Sequence, residues 1–277
     1  MTSELIVKDT GVIARAEIDM QITTAKAYPR DINRTMAFAE QLATMDEATA
    51  QSCFYCLPRK DKDGTKKEIR GGSIRLAEIM ANAWGNLHAA TRILENDGRT
   101  ITAEGVAWDL ENNVRIAMQN KISIWFGEKN GNKGYQANAD MQTVLSNAAS
   151  AKALRNAIFK VVPKTLVDRI LEKAMNFSIG DQKTIHTKVL DVVDKLVKMG
   201  IDKDLMLEYY DCKSLNDITP TILKSLAGVG TAIKEGHIKV DEVFKAEKEA
   251  DSSLSATEKI NMLIADRKED TTAHATG

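Results

Sequence analysis

This chain is poor in most of the features that announce a function. None of its apolar runs approaches the ~20 residues a membrane-spanning helix needs, and the opening MTSELIVKDTG lacks the charged-then-apolar layout of a secretion signal. A cytoplasmic protein without membrane contact is expected. Cysteine is scarce: Cys53, Cys56 and Cys212 give no even-numbered disulfide framework and suit a reducing compartment. No GxxxxGK[ST] loop is present to wrap phosphates in backbone amides, so ATP-driven chemistry has no visible seat. His88, His186, His237 and His274 are scattered outside any metal motif and read as structural or surface residues. Cys53-Phe54-Tyr55-Cys56 has CxxC spacing, but no second pair supplies the other ligands of a structural zinc; two buried cysteines within a helix are expected instead. Carboxylates are plentiful, yet no spacing singles out a nuclease centre. No catalytic residue, metal or cofactor is expected.

Charge of one sign is also lacking, since the formal net charge is −1. Its distribution is uneven. Between Arg59 and Arg75 seven basic side chains stand against three acidic ones, and from Val114 to Lys173 ten stand against four. The last stretch, 241–277, offsets this with nine acidic against five basic residues. Local field rather than net charge decides whether a phosphate backbone is attracted.

A chain of 277 residues can bury a full core and is expected to form one main domain and a smaller one. Residues 1–15 have no clear period and are expected to be mobile. Ala16 to Thr23 alternates, with Ile18, Met20 and Ile22 against Glu17, Asp19 and Gln21, which predicts a strand with one wet face. Asp31 is placed to cap a helix running to Thr44, and Asp46 one running to Tyr55. Pro58 to Gly72 reads as a charged loop around the turn signal Asp61-Lys62-Asp63-Gly64. Ser73 then caps a helix over Ile74 to Trp84.

Three alternating runs follow, Leu87–Leu94, Ile101–Leu110 and Val114–Phe126, separated by Asn96-Asp97-Gly98 and Asn112-Asn113. Short turns between such runs predict an antiparallel meander. In the third run Val114, Ile116, Met118, Ile122, Ile124 and Phe126 share a core face, while Arg115, Ala117, Gln119, Lys121, Ser123 and Trp125 share the other. A Gly/Asn/Lys loop over 127–138 leads into a helix over Met141 to Val162. Its expected buried stripe is Val144, Ala148, Ala151, Leu154, Ile158 and Val162. Lys152, Arg155, Asn156 and Lys160 fall together on another face. Pro163 breaks this helix before Leu166 to Met175.

Composition changes after Asn176. The expected organisation is a flexible N-terminus over 1–15, a core over 16–175, a linker over 176–184, a small all-helical module over 185–245 and a charged tail over 246–277. Within the module Val189, Val192, Val193, Leu196 and Met199 form a stripe closed by Gly200, Asp202 starts a second helix, and Thr219-Pro220 opens a third. Leu226-Ala227-Gly228-Val229-Gly230 is similar to the glycine hairpin of helix-hairpin-helix DNA binders, but a tight turn or helix packing in a small helical module is the preferred reading. Ser255-Ala256-Thr257-Glu258 matches a capping box. The fold class is α+β, an antiparallel meander packed on helices and followed by the helical module.

Several runs then coincide: Gly72-Ser73-Ile74-Arg75-Leu76-Ala77-Glu78-Ile79, Trp84-Gly85-Asn86, Trp108-Asp109-Leu110-Glu111, Asn138-Ala139-Asp140-Met141 and Asn147-Ala148-Ala149-Ser150-Ala151-Lys152-Ala153-Leu154-Arg155-Asn156-Ala157. Together they resemble phage single-strand annealing proteins of the Redβ, RecT and ERF group over roughly residues 16–175. The piece from Asp217 to Gly236 is similar to helical modules appended to such recombinases. The resemblance implies ATP-independent binding of single-stranded DNA and annealing of complementary strands in phage-type recombination, within a bacterial host cell. It also implies a homo-oligomeric ring or filament, affinity for the annealed duplex, and a C-terminal module that contacts a phage exonuclease or the host single-strand-binding protein.

Phosphate contacts would give sequence-tolerant affinity while base pairing supplies specificity. The candidate backbone clamps are Lys152, Arg155 and Lys160, with Arg115 and Lys121 on the sheet as the opposite wall. Arg70 and Arg75 are secondary candidates, Lys129 and Lys133 would close over DNA from the loop, and Trp125 is a candidate for stacking on a base. Two other readings remain open: a non-catalytic adaptor whose basic patch meets an acidic partner, and a metal-dependent nuclease with dispersed acids.

Overall fold

The computed structural model describes residues 2–60, 65–126, 134–180 and 185–244, with backbone alone for 2–11, 13 and 14. The architecture is α+β, and among the described residues no helix is long and apolar enough to cross a membrane. It opens with a helix, α1, over Thr2–Ala27. This corrects the strand over Ala16–Thr23. Ile18 and Ile22 are half-buried and Ala25 fully buried, an i, i+4, i+7 helical stripe, whereas Met20 is 69% exposed.

Local capping chemistry sets the next three helices. Asp31 accepts hydrogen bonds from the amides of Asn33 and Arg34 and starts α2, Ile32–Ala43. Asp46 accepts from Thr49 and starts α3, Glu47–Ser52. Ser73 Oγ accepts from the Leu76 amide and starts α4, Ile74–Trp84. Between α3 and α4 the expected helix end and charged loop give way to a hairpin, β1 (Phe54–Lys60) paired antiparallel with β2 (Lys66–Gly72). The β-favouring Phe54-Tyr55 overrides the helical pattern. Cys53 becomes the C-cap of α3 and Cys56 a strand residue, both buried. The Asp61–Gly64 turn signal lies outside the described residues.

The meander forms as β3 (Leu87–Asn96), β4 (Thr100–Asp109) and β5 (Val114–Ser123) in sheet order β3-β4-β5. Asp97 Oδ1 accepts from the amides of Arg99 and Thr100 in the first turn, and Gly98 there adopts φ +80°. A two-residue pair, β6 (Trp125–Phe126) with β7 (Tyr135–Gln136), closes the sheet end. The long helix α5, Ala139–Val161, is capped by Asn138 and packs across the sheet. Contact is closest at Gly105, where a Cβ would sit 2.3 Å from the backbone of Ala153 and Leu154.

Only small residues fit so close an approach, so the buried stripe of α5 is Ala149, Ala153 and Ala157, with Ile158 beside it. The expected stripe is therefore rotated: Val144 is 60% exposed, and Ala148, Ala151 and Leu154 are half-buried. Pro163 ends α5, and α6 follows over Lys164–Phe177. Met36, Leu76, Met80, Trp84, Ile158 and Ile170 form the main core between α2, α4, α5 and α6.

A buried ionic knot ties the chain before α2 to the meander. Arg30 Nη1 and Nη2 each donate to Asp109 at 2.6 Å, and both side chains are about 5% exposed or less. Trp84 Nε1 also donates to Asp109, and the Arg30 guanidinium lies 4.2 Å above the Trp84 ring. The Trp84-Gly85-Asn86 and Trp108-Asp109-Leu110-Glu111 runs thus meet in one structural device, with Asn86 donating to Glu111.

The C-terminal helices are α7 (Ile185–Lys198), α8 (Lys203–Tyr209), capped by Asp202, and α9 (Pro220–Lys234), capped by Thr219. They share a core with Leu57 of β1. Gly228 and Gly230 lie inside α9 and make no hairpin turn. A Cβ on Gly228 would stand 2.8 Å from the Cys56 amide nitrogen, so the glycine lets α9 rest on β1. Asn176 and Phe177 finish α6, Ile179 is buried with the C-terminal core, and 181–184 and the tail from 245 lie outside the described residues.

Candidate nucleic-acid interface

Where α5 and the first turn of α4 meet α7 and α9, the packing leaves a cleft of about 580 Å³. Ala148, Ala151, Leu196 and Ala227 contribute apolar lining, and Asn147, Gln51 and Thr231 contribute amide and hydroxyl groups. Five cationic side chains line it, Arg75, Lys152, Arg155, Lys195 and Lys234, against one carboxylate, Glu235. Such a lining concentrates positive potential in a partly desolvated groove.

These cations are held differently. Lys152 donates from Nζ to the Gly236 carbonyl at 2.7 Å. Burial and the neighbouring Arg155 charge lower its pKa, so an anion entering the cleft would relieve it. Arg155 is buried and belongs to the wall. Its Nη1 lies 2.8 Å from His237 Nε2 and 3.9 Å from Glu235 Oε2, and its guanidinium stands 5.3 Å from the Tyr55 ring centre. His237 stacks on Tyr55 with 4.3 Å between centres, and burial lowers its pKa against the opposing pull of Glu235. Glu235 also accepts from the Ile74 amide at 3.1 Å, joining the end of α9 to the start of α4. Arg75 and Lys195 pair with Glu78 and Asp191 on the surface, contacts worth ~0–1 kcal/mol that a phosphate can replace.

The structure thus brings Lys152, Arg155 and Arg75 together and separates the rest. Lys160 is exposed at the C-terminal end of α5 and does not line the cleft. Arg70 is tied to Glu68 and to Ser225 of α9. The expected trough with Arg115 and Lys121 opposite Lys152 and Arg155 does not form. Ala103, Gly105 and Ala107 of β4 face α5, and they pair with Asn120, Met118 and Ile116. The alternate residues Arg115 and Lys121 therefore project from the other side of the sheet. Lys121 lies 3.6 Å from Asp97 there.

Trp125 is half-buried, with the Arg99 guanidinium 5.1 Å from its ring centre, and its Nε1 is buried without a hydrogen-bond partner among the described residues. Lys129 and Lys133 lie outside the described residues. Lys195 and Lys234 are the cleft cations that sequence reasoning missed. Their only local signal is a basic residue in the last turn of α7 and of α9. No group of three or more His, Cys, Asp or Glu side chains among the described residues is arranged to hold a metal ion. Searches against protein-family models, curated proteins and solved structures found no match to this chain.

Proposed function

We propose that this protein binds single-stranded DNA and anneals complementary strands without nucleotide hydrolysis, in phage-type recombination in the cytoplasm of a bacterial host. The observation that carries the reading is the cleft lined by five cations and one acid, with Lys152 hydrogen-bonded to the neutral Gly236 carbonyl. A strand seated there would release counterions from the phosphates met by Lys152, Lys234, Arg75 and Lys195. Arg155 would hold the wall rather than the ligand. Base edges facing away from the groove would stay free to pair, and no proton transfer or covalent step is needed. Homo-oligomerisation into a ring or filament would align successive clefts, and the exposed surface of the C-terminal helices would receive an exonuclease or single-strand-binding protein.

Filter binding of labelled oligonucleotide at two salt concentrations tests this, with and without the paired substitution Lys152→Glu and Lys234→Glu. Wild-type protein should bind with a steep salt slope and speed annealing without ATP, and the double variant should bind more weakly, with a shallower slope, and no longer speed annealing. Magnesium-dependent shortening of the DNA would establish a nuclease instead. Absence of binding at low salt would leave the basic cleft to an acidic protein partner.

A further inference from the structure

The side of the sheet away from α5 carries its own groove, of about 280 Å³. Its floor is a row fixed by strand register: His88 of β3 pairs with Trp108 of β4, and Trp108 pairs with Arg115 of β5. Ile18 of α1 and Arg92 also line it. Trp108 Nε1 donates to Asn113 at 3.2 Å, which anchors one edge of the indole. No ring or cation stacks on that indole among the described residues. Glu104, the acid in the groove, is already bound by Arg92 at 2.8 Å. Arg115 makes no hydrogen bond or ion pair with a described residue and is exposed.

A half-buried aromatic between a cation and an imidazole, on a groove whose one carboxylate among the described lining residues is paired with Arg92, has the chemistry of a base-stacking seat beside a phosphate contact. We propose that this outer face is a second seat for single-stranded nucleic acid, with one base on Trp108 and the adjoining phosphate on Arg115. It rests on the strand-binding reading but not on the cleft, because the sheet separates the two. Each chain would then engage two strand segments at once.

The test is photocrosslinking of a thymidine-rich oligonucleotide carrying 5-iododeoxyuridine, followed by peptide mapping. Crosslinks should form on the peptide holding Trp108 and persist in the Lys152→Glu, Lys234→Glu double variant. Trp108→Leu should abolish them and weaken outer-face binding, measured in that double-variant background, by about 5- to 150-fold, the equivalent of ~1–3 kcal/mol of stacking. Arg115→Gln, a surface change that leaves the core intact, should flatten the salt slope by about 0.7, one phosphate contact on a single strand. Crosslinks confined to α5 and α9, with both variants binding as wild type, overturn the second seat and leave the cleft standing. If wild type binds no oligonucleotide, both readings fall. Protection of Trp108 by self-association alone would assign the face to a second copy of the chain and overturn the seat.

Discussion

Replacing Asp109 with alanine should cost about 3 kcal/mol of folding stability, the low end of the ~3–5 kcal/mol lost when one partner of a buried ion pair is removed. The Arg30 side chain is 5% exposed, and the substitution leaves both terminal nitrogens without the carboxylate they share. The low end applies because Glu111 Oε2 remains 3.5 Å from Arg30 Nε. That contact lacks hydrogen-bond geometry, since Nε has no such partner, so it offsets only part of the loss. The reverse substitution, Arg30→Met, should cost about half as much. Asp109 would keep Trp84 Nε1 and the Glu111 and Asn112 amides as donors.

Urea unfolding followed by far-UV circular dichroism measures both. Asp109→Ala within 1 kcal/mol of wild type, or Arg30→Met as costly as Asp109→Ala, would refute the reasoning. The pH dependence has a defined sign. Burial opposes the Asp109 carboxylate, but bonds from Arg30, Asn112 and Trp84 outweigh it and hold the pKa well below the usual carboxylate range. This stabilisation is complete above the unfolded carboxyl's pKa of about 3.9 and is lost as pH falls towards the folded value. Asp109→Ala should therefore flatten the acid limb of the stability curve.

Gly105→Ala should destabilise by ~1–3 kcal/mol, because the added carbon has only the backbone of Ala153 and Leu154 to displace; an unchanged thermal melt would contradict the close approach. Gly228→Ala sets two effects against each other. Helix propensity favours alanine by ~1 kcal/mol, while the clash with Cys56 opposes it, and a net loss in chemical denaturation is expected. In thiol titration of the folded protein near neutral pH, Cys212 should react first, since burial pushes Cys53 and Cys56 up to about 12. Simultaneous reaction of all three would show that β1 and α9 separate readily.

Features written in a few neighbouring residues were legible in the sequence. The caps Asp31, Asp46, Ser73, Asp202 and Thr219 lie where a short polar side chain meets the start of an apolar period. The meander was legible because Asn96-Asp97-Gly98 supplies both the side-chain acceptor and the positive φ its turn needs. Errors fell where a short pattern fits two periods or depends on a distant partner. Ile18 and Ile22 satisfy alternation and helical spacing alike, and only the burial of Ala25 decides between them. Most of β2 is exposed, so it carries no apolar alternation to distinguish a strand from a loop. By contrast, the helix-packing reading of Gly228-Val229-Gly230 holds, although the partner that explains the glycine, Cys56, lies in another element.

The site divides along the same line. Spacing alone groups Lys152, Arg155 and Lys160 on α5, but which of them reaches a ligand depends on contacts far along the chain. Glu235, Gly236 and His237 engage Arg155 and Lys152, turning one cation into wall and aiming the other at the cleft. Sidedness depends on a single small residue. Because Gly105 admits the backbone of α5, the odd-numbered face of β4 is the covered one, and register with β5 sends Arg115 and Lys121 to the opposite side. A count of local charge therefore identifies the basic region but not its surfaces. Strand parity divides one apparent patch into two, and any strand-binding activity must be tested on each face separately.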